Sequence, residues 1–306
     1  MKAILQFVLL PCLVVVTHAY AAPPPLKVIV TGAAGRTGQL VFKKLHENQA
    51  FDVVGVVRTE KSAKKLMRKV NCGLGQVIVA DVTSELNVED DNYIRGLEEA
   101  DAMIICTSAV PQIIKRSLFK TLINKLFRRQ VKPPLFRFRP GQYPEKVDYE
   151  GQKAQINLAK NIGVKRIVLV SSMGGTDPTN FLNQIGKDEN GEGDGDILIW
   201  KRRAEKYLLQ SGLSYTIIHP GGLKDTPGGQ KRLVLDVDDV LLKNKERQIS
   251  RADVAELCVA SLTVSAQKNV AFDCISVTPE SDEEIVSAED ALVAFLTLGK
   301  TCDYSD

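Results

Sequence analysis

The stretch LKVIVTGAAGRTGQLVFKKLHEN, residues 26–48, constrains the fold more than any other part of the chain. A short apolar run ends in glycine, and a helical pattern follows with Leu40, Val41 and Leu45 on one face. Between them Gly32, Gly35 and Gly38 are spaced T-G-x-x-G-x-x-G. In a strand–turn–helix unit the first glycine permits the tight turn. The second lets a pyrophosphate approach the backbone, and the third lets the helix pack close to the strand. A glycine triplet alone says little. One that leaves a strand, opens a helix and begins the first βα unit points to a dinucleotide.

The same alternation continues along the chain. FDVVGVVR, QVIVAD, DAMIICTSA, KRIVLVSS, SYTIIHPGG and VAFDCISV read as short buried strands. Helices are expected near 84–99, 147–162, 200–211 and 251–264, with no repeats and no coiled coil. Strands alternating with helices imply a parallel, doubly wound α/β sheet, and right-handed crossovers give the order 3-2-1-4-5-6-7. At 306 residues and 44% apolar content the chain can bury a large core. The expected organisation is one Rossmann domain over 26–300, with a basic insertion at 112–140 and a small C-terminal extension on the substrate side.

When the cofactor is NAD, the second strand of such a fold normally ends in a carboxylate that accepts from the ribose 2′-hydroxyl. Here it ends VVRTEKSAKK, which puts Arg58 in that place, with Arg36 in the glycine turn and Lys61 close by. Guanidinium groups suit a 2′-phosphate, so NADP (NADPH) is the expected cofactor.

The first residues, MKAILQFVLLPCLVVVTHAYAAPPP, combine Lys2, an apolar run from Ala3 to Val16 and small residues suited to cleavage after Ala19 or Ala21. Residues 1–21 read as a signal peptide rather than a membrane anchor, because the run is short and interrupted by Pro11. Cys106, Cys258 and Cys274 fall in apolar stretches, and only Cys72 and Cys302 read as free thiols. No spacing suggests disulfides or a zinc site, and no Asn-x-Ser/Thr sequon occurs. AYAAP resembles the signal junction of plastid-targeted proteins in algae with secondary plastids, Tyr20 being the aromatic residue after cleavage. The other destinations are the endoplasmic reticulum lumen or secretion. A balance of 40 basic against 37 acidic residues, formally +3, calls for no acidic partner, and no nucleic acid is expected.

TGAAGRTGQ, TSAVP, GQYPEKVDYEGQK, SSMGGTDP, ILIWKRRAEKYLLQSGLSYTII, PGGL and SRADVAE resemble the small plant-type atypical short-chain dehydrogenase/reductases, Rossmann proteins near the NmrA-like group. The resemblance spans about Lys27 to Val277. It implies an NADP preference and assigns no substrate. It places Gly32, Arg36, Thr37 and Gly38 on the dinucleotide turn, Arg58 at the 2′-phosphate, and Asp81 with Val82 at the adenine. Thr107, Ser108 and Ala109 would line the nicotinamide ribose.

Tyr149-x-x-x-Lys153 has the spacing of the catalytic pair in typical short-chain dehydrogenases. In those enzymes the pair follows the fifth strand, whereas Tyr149 precedes it. The helix after the fifth strand carries Lys201, with Ile197 where the tyrosine would stand. The Y-x-x-x-K spacing is therefore read as coincidental. Ser172 and Lys201 are the catalytic candidates: the serine holds a substrate carbonyl, and the lysine binds the nicotinamide ribose or stabilises an oxyanion. The functional expectation is a reductase acting on a small carbonyl or activated double bond, the alternative being a non-catalytic NADPH-binding redox sensor. His18, His46 and His219 are too dispersed for a metal site or a Ser-His-Asp triad.

Two segments border the expected cleft. Ile114 to Arg139 carries nine basic residues and no acid, with Ile114, Leu118, Leu122 and Leu126 at helical spacing. A lid with its apolar face packed on the domain is preferred here to contact with an anionic membrane surface. TDPTNFLNQIGKDENGEGDGDI is polar and glycine-rich, and its composition predicts a mobile loop at the substrate entrance.

Overall fold

The structure, a computed structural model, describes residues 23–82, 96–130, 134–188, 190–264, 268–281 and 283–305. The expected signal peptide and most of the helix expected at 84–99 lie outside the described residues.

Strand β1 (Leu26–Thr31) runs into helix α1 (Gly38–His46), followed by β2 (Phe51–Val57), α2 (Glu60–Val70), β3 (Val77–Val79) and β4 (Ala102–Ile105). Strands β5 (Gln112–Ile113) and β6 (Phe136–Arg137) pair antiparallel and bracket α3 (Lys115–Leu126). A π-helical stretch, Glu145–Glu150, leads directly into α4 (Gly151–Asn161). Then come β7 (Arg166–Val170), α5 (Ile197–Gln210), β8 (Ser214–Pro220), β9 (Gly222–Lys224), β10 (Arg232–Asp236) and β11 (Gln248–Ser250). Helix α6 (Arg251–Thr263), β12 (Val270–Val277) and α7 (Ala288–Thr297) follow.

The seven strands read from the sequence form a parallel sheet in the expected order, β3-β2-β1-β4-β7-β8-β12. Strand β10 extends it as an antiparallel edge beside β12, which apolar runs did not reveal because only three apolar residues stand between Arg232 and Asp236. Both faces of the parallel sheet are covered, so the central strands are continuously apolar. Alternation sends Val28 and Val30 of β1 to one core with Phe42, Leu66, Leu257 and Phe295, and Ile29 to the other with Ile156 and Leu208. Each face is therefore sealed by helices on its own side.

The segment after β7 is more closely knit than its composition predicts. Asn183 is buried, its amide nitrogen donating to Pro178 O (3.0 Å) and its oxygen accepting from Leu198 N (2.9 Å). Lys187 pairs with Asp196 at 2.7 Å. The glycines and aspartates thus serve a folded loop through side-chain to backbone bonds.

The free thiol of Cys302 is buried, because the C-terminal segment returns to the sheet. Cys302 N donates to Ala271 O (2.9 Å), and Tyr304 Oη donates to Glu205 Oε2 (3.0 Å). His219, buried at the end of β8, lies 3.1 Å from Asp273 Oδ1 through Nδ1 and 3.4 Å from Glu205 Oε2 through Nε2. Ser171 Oγ donates to the other Glu205 oxygen. His219, Asp273 and Cys302 bring three metal-ligand atoms within 4.8 Å, a grouping invisible in their wide sequence spacing. Hydrogen bonds among buried partners already account for it.

Candidate functional site

At the carboxyl ends of β1 and β4, where the strand order reverses, a cleft of about 430 Å³ opens. Such a reversal is where doubly wound sheets hold nucleotides. Its floor is the glycine turn. Gly32 has φ +65° and its absent Cβ would stand 2.9 Å from Cys106 O; a Cβ on Gly38 would stand 2.3 Å from Gly32 O. Only glycine lets β4, the turn and α1 approach this closely. The turn thus brings the N-terminus of α1, with Thr37 as its N-cap residue, to the edge of the cleft, where the positive end of the helix dipole suits phosphate.

The structure brings most of the expected cofactor residues together. Gly32, Gly35, Arg36 and Thr37 line the cleft from the turn, Arg58 from the end of β2, Asp81 and Val82 beyond β3, and Thr107, Ser108 and Ala109 beyond β4. Gly38 supports the turn from behind. Cys106 also lines the cleft; burial pushes its thiol up to about 12 against the opposing pull of Lys201, so it remains neutral.

The helix carrying Tyr149 has a different task from the one its spacing suggests. Tyr149 stacks on Trp200 with ring centroids 5.8 Å apart, and Lys153 lies over the Tyr207 ring at 5.1 Å. Neither lines the cleft. Their neighbours fix the loop after β4 instead. Asp148 Oδ2 accepts from Ala109 N (2.9 Å), Gln152 Nε2 donates to Thr107 O (3.1 Å), and Gln155 Nε2 donates to Thr107 Oγ1 (3.1 Å). Offsets of four and three residues place all three on one helical face.

Lys201 is not a lining residue of the cleft. Its ammonium pairs with Asp148 Oδ1 at 2.8 Å, with 7% and 0% of the two side chains exposed. A lysine withdrawn this far is held by the one carboxylate that neutralises it. Ser172 lines a second cavity of about 890 Å³, its hydroxyl donating to Met173 O at 3.1 Å. The two cavities meet at Leu223 and Arg251, which line both.

Arg251 and its partner escaped the sequence reading. Asp225 Oδ1 accepts from Arg251 Nη1 (2.7 Å), and Asp225 Oδ2 lies 3.4 Å from Arg36 Nη1. The carboxylate thus links the glycine turn to the start of α6. Gln142 was also missed; its side-chain oxygen accepts from Arg58, and both line the cleft. No local spacing marks these pairs, although SRADVAE, which holds Arg251, was among the family motifs.

A family model described as NAD(P)H-binding matches residues 32–264. The chain belongs to this NAD(P)H-binding family. The placement agrees with the atypical short-chain dehydrogenase/reductase resemblance and with a family of nicotinamide-dependent oxidoreductases. Sanguinarine reductase of Eschscholzia californica is 42% identical over 283 residues, covering 89% of this chain and 96% of that protein. An uncharacterized chloroplastic protein of Arabidopsis thaliana is 43% identical, covering 86% and 73%. Among solved structures, an oxidoreductase of Lactococcus lactis superposes with TM-score 0.58 at 18% identity, covering 89% and 97%. A short-chain dehydrogenase/reductase of Veillonella parvula in complex with NADP does so with 0.54 at 12%, covering 84% and 95%. These likenesses establish the shared fold of the NAD(P)H-binding chain.

Proposed function

We propose that this chain is an NADPH-dependent reductase that delivers hydride to a small carbonyl or activated double bond. The observation that carries the reading is the continuity of the two cavities at Leu223 and Arg251, one floored by the glycine turn and the other lined by Ser172. The residues suit the nucleotide. Gly32 and Gly38 leave room for close backbone packing, and Arg58 stands where a carboxylate would select NAD. When bound, NADPH supplies the hydride, and the protein contributes orientation and electrostatics. Arg36 and Arg58 offer charge-assisted donors to phosphate. The Ser172 hydroxyl can turn from Met173 O to donate to a substrate carbonyl. The reductase name of the Eschscholzia relative supports the reaction class.

A second reading, an NADPH-binding redox sensor, is favoured by one observation: Lys201 is bound to Asp148, and no tyrosine stands one helical turn before it. Steady NADPH oxidation with one metabolite from a carbonyl and enone panel selects the reductase. Tight binding without turnover across that panel selects the sensor.

The cofactor preference has its own test. Arg58→Asp weakens NADPH binding by about 1.5 to 3 kcal/mol while sparing NADH. The measurement is titration by nicotinamide fluorescence. Equal losses for both nucleotides would remove Arg58 from the 2′-phosphate site. Plastid placement is part of the same proposal, supported by chloroplastic relatives in Arabidopsis thaliana and by the AYAAP junction.

A further inference from the structure

Helix α3 is turned the opposite way from a lid. Leu118 is 36% exposed, Phe119 66%, Leu122 56% and Leu126 77%, so its apolar stripe faces solvent instead of packing on the domain. Its polar residues face the returning chain. Ser117 Oγ donates to Ile114 O (2.7 Å) and accepts from Leu135 N (2.9 Å), and Asn124 Nδ2 donates to Gln130 O (3.2 Å). A helix stabilised only by its own protein would bury the apolar stripe and expose the polar one.

The charges around the stripe indicate what covers it. Lys115 and Arg116 stand exposed at its amino end, and Lys125, Arg128 and Arg129 at its carboxyl end. From Ile114 to Arg139 there is no acidic residue. A second copy would bring two such basic rims together, which like-charge repulsion opposes. A projecting row of leucines and phenylalanine bracketed by cations is the arrangement of a helix lying in a membrane interface. There the apolar side chains enter the acyl boundary and the cations meet lipid phosphates. Among the described residues no helix is long and apolar enough to cross a membrane.

We propose that α3 and the basic residues flanking it dock the protein on the surface of an anionic lipid bilayer. The hairpin holding α3 starts beside Pro111, which lines the nucleotide cleft, so the docking element lies close to the site in the chain.

The full chain is sedimented with phosphatidylcholine vesicles, with and without about 30% phosphatidylglycerol. Binding is expected only with the anionic lipid and is expected to be released on raising salt from about 0.1 M to about 0.5 M. Replacing Arg128→Glu with Arg129→Glu, and separately Leu118→Ser with Leu122→Ser and Leu126→Ser, each lowers partitioning at least about tenfold. Thermal melting of each variant should match the parent, since the altered side chains are exposed. Equal binding to both vesicle types, or none to either, overturns the proposal. Retention of anionic-vesicle binding by both variants also overturns it, placing the contact elsewhere, the apolar run at residues 3–16 included.

Discussion

Lys201 and Asp148 are both withdrawn from water, so each tolerates poorly the loss of the other. Lys201→Met would strand the Asp148 carboxylate and cost about 3–5 kcal/mol, read as a lower denaturant midpoint. Adding Asp148→Asn restores much of that loss, because the stranded charge is gone and an amide oxygen can still accept from Ala109 N. A Lys201 that served only the nucleotide would instead lose affinity with an unchanged midpoint. Gly38 makes a steric argument at the same scale. A methyl group there meets Gly32 O at 2.3 Å, and the obstacle is backbone. Gly38→Ala is therefore expected to cost about 1–3 kcal/mol and to weaken nucleotide binding, measured by melting and titration together. The glycines were legible because a turn type demands them. The Lys201 partner was not, because 53 positions separate it from Asp148 and no periodicity links them.

Elements carry the next level of information, and here spacing was read correctly while orientation was not. The leucines of α3 have the expected helical period, yet period fixes only that one face is apolar and leaves open where that face turns. The Y-x-x-x-K helix gives the converse case. Its eye-catching pair stacks on Trp200 and Tyr207, and Asp148, Gln152 and Gln155 hold the Thr107–Ala109 loop. Helix α6 is positioned by its cap. Ser250 Oγ accepts from Asp253 N (2.9 Å), and Asp253 Oδ1 accepts from Gly229 N (2.7 Å). Because Arg251 is the first residue of this helix, the cap also sets the junction between the cavities. Ser250→Ala is expected to cost about 1 kcal/mol, visible as a lower urea midpoint.

For the whole molecule, the buried cluster at His219 joins β8, β12, α5 and the C-terminal segment, and it makes stability depend on pH. Burial is the largest influence on His219 and opposes its charge. The Glu205 carboxylate, with the hydrogen bonds that the charged ring gives to Asp273, Cys302 and Glu205, more than reverses this and holds the imidazole well above its ordinary range. For Glu205 burial likewise opposes the charge and so acts upward, but His219, Ser171 and Tyr304 together bring it below the usual carboxylate value. A raised histidine contributes stability that is complete below about pH 6.5 and is lost as pH rises through its folded value. A lowered glutamate contributes above about pH 4.3 and loses it as pH falls through its folded value. Burial raises Asp273, so its ionisation adds a cost above about pH 3.9. The expected result is greatest stability in mildly acidic solution, with the denaturant midpoint falling from about pH 6.5 upward. His219→Gln should abolish that alkaline slope, and a slope unchanged in the variant would assign it to other groups.

The sequence by itself determined the doubly wound sheet, the order of its seven parallel strands and the glycine-floored cleft. These follow from short-range rules: apolar runs buried on both faces, right-handed crossovers, and a turn that only glycine can make. Tertiary structure alone decided that Lys201 belongs to Asp148, that Asp225 bridges Arg36 and Arg251, that His219 gathers Glu205, Asp273 and Tyr304, and that α3 faces outward. Each of these joins residues distant in the chain through electrostatic or packing contacts. Such contacts depend on distance in space, which no periodicity along the chain records.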